Sequence, residues 1–210
     1  IEPVEKIWRE SGVIGGDFPK DLTLALGSIT TKPIDMALFY AALANGGYKV
    51  NPQYIYKIEN KFGEIIYEAK PEKNKIFESE DVAILTYMLQ NAVNYGTGQS
   101  AKVFKNGKLI PMAGKTGTTS DYVSAWFTGY TPTLATVVYV GNDDNKPMGG
   151  GMTGGAAAAP IWKTYMQSVV NIENYNIGIF EFIDDYIKMK DLTQREIDLT
   201  IVLFVIDWVN

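Results

Sequence analysis

The run Lys115-Thr116-Gly117-Thr118-Thr119 combines a fixed cation, hydroxyls and a residue without a side chain. If the run is extended, Lys115, Gly117 and Thr119 share one face and Thr116 and Thr118 the other. Thr116 and Thr118 then bring hydroxyls suited to a carboxylate, beside the charge of Lys115. Gly117 removes the side chain that would keep another backbone from approaching. A peptide can pair along such a strand as an added β-strand, with backbone N–H groups left to face a reacting carbonyl. The plain alternative is an exposed turn between two strands.

What else can take part is limited by composition. The chain has no histidine and no cysteine, which excludes imidazole bases, His-ligated zinc, thiol nucleophiles and disulfides together. Acid–base chemistry falls to Lys, Asp, Glu or Tyr. The formal charge of −5 arises wholly after residue 170, and no basic surplus exists to meet a phosphate backbone, so nucleic acid is not an expected partner. With 46% hydrophobic and 20% charged residues, the chain can bury a core. No run approaches the roughly 18 apolar residues of a membrane span.

Two nucleotide-binding patterns fail on spacing or context. A P-loop ending at Gly114-Lys115-Thr116 needs glycine where Leu109 stands, and Gly107 comes two residues too early. Gly149, Gly151 and Gly154 match a dinucleotide fingerprint, with Glu173 near the spacing of a ribose-binding acid. However, the segment 142–148 separates them from the preceding strand. A flexible loop with close helix packing is the expectation there. Asp143 and Asp144, beside Asn145 and Pro147, read as a solvated turn rather than a metal site. No metal and no cofactor is expected.

Several elements must position the motif. Apolar residues at helical spacing predict a helix over 33–45, stopped by Asn45-Gly46-Gly47. Ser79 can cap a second helix over 79–95, with Glu80 and Asp81 in its first turn, and a third is expected over 156–170 with Pro160 near its start. A short helix is expected within 1–16, ending at Gly15-Gly16. Segments 48–59 and 64–68 read as a hairpin. Segments 112–119, 125–130 and 134–141 read as three successive antiparallel strands. Helices segregated from an antiparallel meander make the fold class α+β.

The company the motif keeps is specific. Lys-Thr-Gly belongs to the signature of penicillin-binding proteins and class A β-lactamases. Over residues 21–167 the chain resembles class A (bifunctional) high-molecular-weight penicillin-binding proteins in ordered patches. These are Leu24-Ala25-Leu26-Gly27-Ser28, Pro33-Ile34-Asp35-Met36-Ala37 with Tyr40-Ala41-Ala42-Leu43-Ala44-Asn45-Gly46-Gly47, Gly96-Thr97-Gly98 with Ala101, and Ala113-Gly114-Lys115-Thr116-Gly117-Thr118-Thr119. Ala125-Trp126-Phe127-Thr128-Gly129-Tyr130 and Ala158-Ala159-Pro160-Ile161-Trp162 follow.

The resemblance implies part of a β-lactamase/transpeptidase-like fold and acyl transfer on peptidoglycan. A serine attacks the D-Ala-D-Ala bond of a stem peptide, D-Ala leaves, and a neighbouring amine takes the acyl group. β-Lactams acylate the same serine in the complete domain. By that resemblance the catalytic residues present are Lys115, biasing the field toward the carboxylate and the proton shuttle, and Thr118, whose N–H is half of the oxyanion hole. The substrate-binding residues are Thr116, Gly117, Thr118 and Thr119, with Trp126 able to line the cleft. The place of work is the outer face of the cytoplasmic membrane or the periplasm, with membrane contact only through an N-terminal anchor outside the chain.

The family's Ser-x-x-Lys and Ser-x-Asn patterns do not occur in the chain. Ser28 and Lys32 are one residue too far apart and lie in a patch the family places after both. The expectation is a chain that begins after these motifs: residues 1–170 are the C-terminal portion of a transpeptidase domain, and 171–210 an unassigned acidic tail with an apolar end at Ile201 to Ile206. The alternatives are a non-catalytic peptidoglycan- or penicillin-binding homologue and a β-lactamase.

Overall fold

The computed structural model describes residues 1–13, 18–70 and 72–183. Its elements follow in the order α1 (Glu2–Glu10), a 3-10 turn (Leu22–Leu26), α2 (Pro33–Ala44), β1 (Lys57–Glu59), β2 (Ile65–Glu68), α3 (Ser79–Asn94), β3 (Phe104–Lys105), β4 (Lys108–Leu109), β5 (Ala113–Thr118), β6 (Ser124–Thr131), β7 (Leu134–Gly141) and α4 (Ala159–Val170), the last entered through a π-turn at Gly154–Ala158. β5, β6 and β7 form an antiparallel sheet in that order, with Ala113 opposite Tyr130 and Ser124 opposite Gly141. Their β-branched and aromatic content suits a pleated surface buried on both sides.

Strand alternation sends the two faces of this sheet into different cores. Ala113 and Tyr130 join Tyr40 and Leu43 of α2 and Val82, Ala83 and Leu89 of α3. The Tyr130 ring meets those of Tyr40 and Phe180 edge-on at 5.9 and 5.7 Å. On the opposite face Phe127 meets Trp162 of α4 at 5.2 Å, in a core shared with Val93, Ala101, Val103 and Met112. The indole N–H of Trp162 donates to the Thr136 carbonyl at 3.1 Å, so the polar tip of this buried ring is satisfied. α3 contributes Val82 to one core and Val93 to the other, and therefore passes the outer edge of β5.

The differences from the sequence expectations have local causes. α1 stops at Glu10 rather than near Gly16 because Gly12 adopts φ +98° and the N–H groups of Gly12 and Val13 close on the carbonyls of Arg9 and Trp8. This satisfies carbonyls that the helix end would leave open. Ser79 does not cap α3. Glu78 occupies the N-cap position, and the Ser79 hydroxyl donates to the Gly46 carbonyl at 3.1 Å, tying α3 to the end of α2.

The first hairpin strand spans only Lys57–Glu59 instead of 48–59, since among the described residues the preceding segment finds no partner strand and only a bridge between Tyr48 and Lys75. Tyr54, Tyr56 and Phe62 of this hairpin region are exposed. A small hairpin, β3–β4, was not anticipated. Its turn is Asn106-Gly107, both at positive φ, which suits a two-residue connection between twisted strands.

Of the tail after residue 170, Phe180 and Ile183 are buried against the α2 and α3 side of the sheet. The apolar run from Ile201 to Ile206 lies outside the described residues. Among the described residues no helix is long and apolar enough to cross a membrane.

Candidate functional site

β5 is an edge strand of its sheet. The Thr119 N–H donates to the Ser124 carbonyl at 3.1 Å, continuing the register that pairs Thr118 with Ala125. In an antiparallel pair the residues that exchange these bonds alternate along the strand. The backbone groups of Lys115, Gly117 and Thr119 therefore face β6, while those of Thr116 and Thr118 face the outer edge. One strand edge thus carries an outward Thr118 N–H and an outward Thr116 carbonyl.

The side chains fall as alternation requires. Lys115 and Gly117 stand opposite Thr128 and Trp126 on one face, and Thr116 and Thr118 opposite Phe127 and Ala125 on the other. Lys115 is half-buried, its Nζ donates to the outward Thr116 carbonyl at 3.2 Å, and burial pushes its pKa below the ordinary lysine value. The ammonium is held at the strand edge instead of extending into solvent.

Thr116 is 8% exposed, and its hydroxyl lies 2.7 Å from that of Thr97, in the turn that follows α3. Thr118 is exposed, and its Oγ1 accepts the Gly154 N–H at 3.0 Å. The two threonines that sequence alone places on one face are therefore each tied to a different segment, 19 and 36 residues away in the chain. Thr119 behaves differently. Its Oγ1 accepts the Ser124 N–H at 2.8 Å and donates to the Ser124 carbonyl at 3.3 Å, so this hydroxyl closes the end of the β5–β6 pair.

Gly154 lies flat on the sheet. A Cβ there would come within 2.3 Å of the Trp126 carbonyl oxygen and 2.6 Å of that of Gly117, closer than any side chain can stand. Gly155 is similarly pressed on the Thr97 carbonyl, and the Ser100 hydroxyl donates to the Gly155 carbonyl. A Cβ on Gly149, Gly150 or Gly151 would meet nothing. The glycine-rich segment is thus a loose loop followed by a tightly seated turn. The strand before it, β7, is antiparallel to its neighbour, so no dinucleotide-binding βαβ unit is formed. Asp144 accepts the Lys146 N–H and pairs with its ammonium at 2.6 Å. This is the turn that the sequence suggested.

Trp126 is partly buried beside Gly117, its ring 4.8 Å from that of Tyr139 and its N–H donating to the Ser124 hydroxyl at 3.3 Å. The indole therefore forms a firm aromatic shelf on the Lys115 face. A shallow hollow of about 350 Å³ lies elsewhere, lined by Pro52, Tyr54, Ile58 and Tyr67 of the β1–β2 region. None of the motif residues lines it.

The family model of the penicillin-binding protein transpeptidase domain matches residues 12–167. Penicillin-binding protein 1A of Pseudomonas aeruginosa is 31% identical over 200 residues, covering 71% of this chain and 24% of that protein. Its counterpart in Neisseria gonorrhoeae is 34% identical over 164 residues, covering 76% of this chain and 20% of that protein. The chain thus spans about a fifth to a quarter of the length of these curated relatives. Among solved structures, PonA1 from Mycobacterium tuberculosis in complex with penicillin V superposes with a TM-score of 0.68 at 24% identity, over 83% of this chain and 51% of that one. The shared architecture is the α+β fold of the β-lactamase/transpeptidase kind.

Proposed function

The chain belongs to the penicillin-binding protein transpeptidase family, on the class A side represented by penicillin-binding protein 1A, and from that premise we propose that it forms the carboxylate-binding wall of a peptidoglycan D,D-transpeptidase site. The substrate is the D-Ala-D-Ala end of a stem peptide. A serine Oγ bonds to the penultimate carbonyl carbon, the peptide bond breaks, and free D-Ala departs with the proton. An amine of a neighbouring stem peptide then displaces the serine from the acyl group, which completes the cross-link. The work is done at the outer face of the cytoplasmic membrane.

One observation carries this proposal: a single strand edge presents the Thr118 N–H outward, with the Thr116 and Thr118 hydroxyls on one face and the Lys115 ammonium at the same edge. The N–H suits half of an oxyanion hole, where losing one donor typically costs about 2.7–4 kcal/mol of transition-state stabilisation. The hydroxyls suit the terminal carboxylate, and the low local dielectric around Lys115 strengthens its attraction for that anion. Gly117 lets the substrate backbone approach, Trp126 gives the shelf beside it, and Thr119 keeps the strand end closed. β-Lactams carry a carboxylate and a strained amide in the same relation, so they are ligands of the complete site. The serine and its lysine base are not supplied by this chain, which contains neither Ser-x-x-Lys nor Ser-x-Asn.

That same absence favours a second reading, a non-catalytic module that binds peptidoglycan ends. Both readings require the β5 edge to bind the dipeptide. Titration of the 15N-labelled chain with diacetyl-Lys-D-Ala-D-Ala should shift the amide signals of Thr116 to Thr119 ahead of all others. Shifts confined to other elements, or none at millimolar peptide, would remove the assignment.

A further inference from the structure

Hydroxyl groups are ambiguous ligands, because each can donate once and accept twice. A carboxylate only accepts, so a threonine helps it only if the hydroxyl proton points outward. Nothing in the Lys115-Thr116-Gly117-Thr118 sequence fixes that direction. The partners of the two hydroxyls limit it.

At Thr118 the partner is the Gly154 N–H, at 3.0 Å. An amide N–H can only donate, so Thr118 Oγ1 accepts and its own proton is left for another acceptor. At Thr116 the partner is the hydroxyl of Thr97, at 2.7 Å. Two hydroxyls joined by one hydrogen bond use one proton between them and leave the second to point elsewhere. Thr116 is almost fully buried, whereas Thr97 is exposed. With Thr97 donating, the Thr116 proton is left for another acceptor. With Thr116 donating, the Thr97 proton is offered at the surface instead. In either state the pair leaves one O–H for another acceptor.

The turn that carries Thr97 is held from both sides. The Gly98 N–H bonds to the Ala92 carbonyl at 3.0 Å, and the Gly96 N–H to that of Asn91 at 3.2 Å. Gly155, next to the Gly154 that polarises Thr118, sits against the Thr97 carbonyl, which a Cβ there would approach to 2.6 Å. The two supports of the two threonines are thus packed on each other.

We propose that Thr97 is a positioning residue for carboxylate recognition: paired with Thr116, it converts an ambiguous hydroxyl into an outward donor, while the Gly154 N–H does the same for Thr118. This rests on the assignment of the β5 edge as the carboxylate-binding wall, and extends it to a residue outside that strand. The four groups act as two matched pairs, each offering one proton to one carboxylate oxygen.

The test compares two peptides on the intact chain by 15N-resolved titration: diacetyl-Lys-D-Ala-D-Ala and the same peptide with a C-terminal amide. Wild type should bind the acid more tightly than the amide. In Thr97→Val and Thr97→Ala, acid binding should weaken by about tenfold, the scale of one hydrogen bond to a charged group, with amide binding unchanged. Thr97→Ser should restore the preference for the acid. If wild type shifts no amide signal of the β5 edge, or binds both peptides equally, the wall assignment itself is wrong. If wild type prefers the acid and both hydroxyl-free variants keep that preference undiminished, the role of Thr97 is wrong. Equal weakening of both peptides, without rescue by serine, would show a structural effect and likewise overturn it.

Discussion

Tyr130 of β6 donates its hydroxyl to Thr86 of α3 at 2.8 Å, and both side chains are fully buried. The bond fastens α3 to the sheet on the face that carries Lys115 two positions along the neighbouring strand from Ala113. Thr86→Val keeps the shape but strands the tyrosine O–H, and should destabilise the chain by about 1–3 kcal/mol. Tyr130→Phe should cost less, since the threonine hydroxyl can turn to a carbonyl of its own helix. The double variant should be less destabilised than the sum of the two, as urea unfolding would reveal. Strict additivity would mean that the two groups do not interact.

The glycine segment offers a sharper contrast within a few residues. Gly154→Ala must push its methyl into the Trp126 and Gly117 carbonyls, and should lower stability by about 1–3 kcal/mol. Gly150→Ala meets nothing within 4 Å, and its effect should stay within about 0.5 kcal/mol. Thermal melts of the two variants side by side give the comparison. Similar losses at both positions would contradict the seating of Gly154.

How much of this arrangement could be read from the sequence depended on the range of the contacts involved. The helix over Pro33–Ala44 and the meander of β5, β6 and β7 were legible because hydrophobic period and turn residues act over a few positions. Ser79 illustrates the limit. A serine before an apolar run suggests a cap, yet its hydroxyl is claimed by Gly46, 33 residues away. The Asn106-Gly107 turn carries a local signal, but the strands it joins, Phe104–Lys105 and Lys108–Leu109, are too short to show alternation.

The candidate site divides in the same manner. Strand alternation places Lys115, Thr116 and Thr118 correctly on their faces. The partners Thr97 and Gly154 are invisible until the chain is folded, for nothing in a Gly-Thr-Gly turn or a glycine-rich loop announces which strand it will touch. Thr119, expected among the substrate-binding residues on the face opposite Thr118, spends its hydroxyl on Ser124, which no local pattern announces.

Lys115 also predicts a pH dependence. Burial lowers the pKa of its ammonium in the folded chain. Between that lowered value and the ordinary lysine value the unfolded chain holds more protons, so this group makes stability rise with pH and weakens the fold at lower pH. Tyr40 and Tyr130 act in the opposite sense, since burial raises both. As pH passes the ordinary tyrosine value of about 10, the unfolded chain loses protons that the folded chain keeps, and stability falls. Lys115→Met separates the two effects, because it removes only the lysine contribution. The unfolding free energy of wild type relative to Lys115→Met should therefore rise as pH climbs toward the ordinary lysine value of about 10.4. A flat or falling difference would show that the folded chain does not penalise the charge on Lys115.

The last prediction concerns what the β5 edge cannot do alone. Stable acylation by a β-lactam needs a nucleophile whose proton is removed as it attacks, and without histidine or cysteine that base must be lysine, tyrosine or a carboxylate beside a serine. Of the serines near the site, the Ser124 hydroxyl contacts Thr119 and the Trp126 N–H, that of Ser100 donates to the Gly155 carbonyl, and Ser120, directly after Thr119, is exposed. None of the three has a lysine at the spacing of Ser-x-x-Lys. The intact mass of the chain should consequently be unchanged after incubation with penicillin V, even though the same ligand perturbs the amide signals of Thr116 to Thr119 reversibly. An added mass of one penicillin that maps to a serine of this chain would show that the wall carries its own nucleophile.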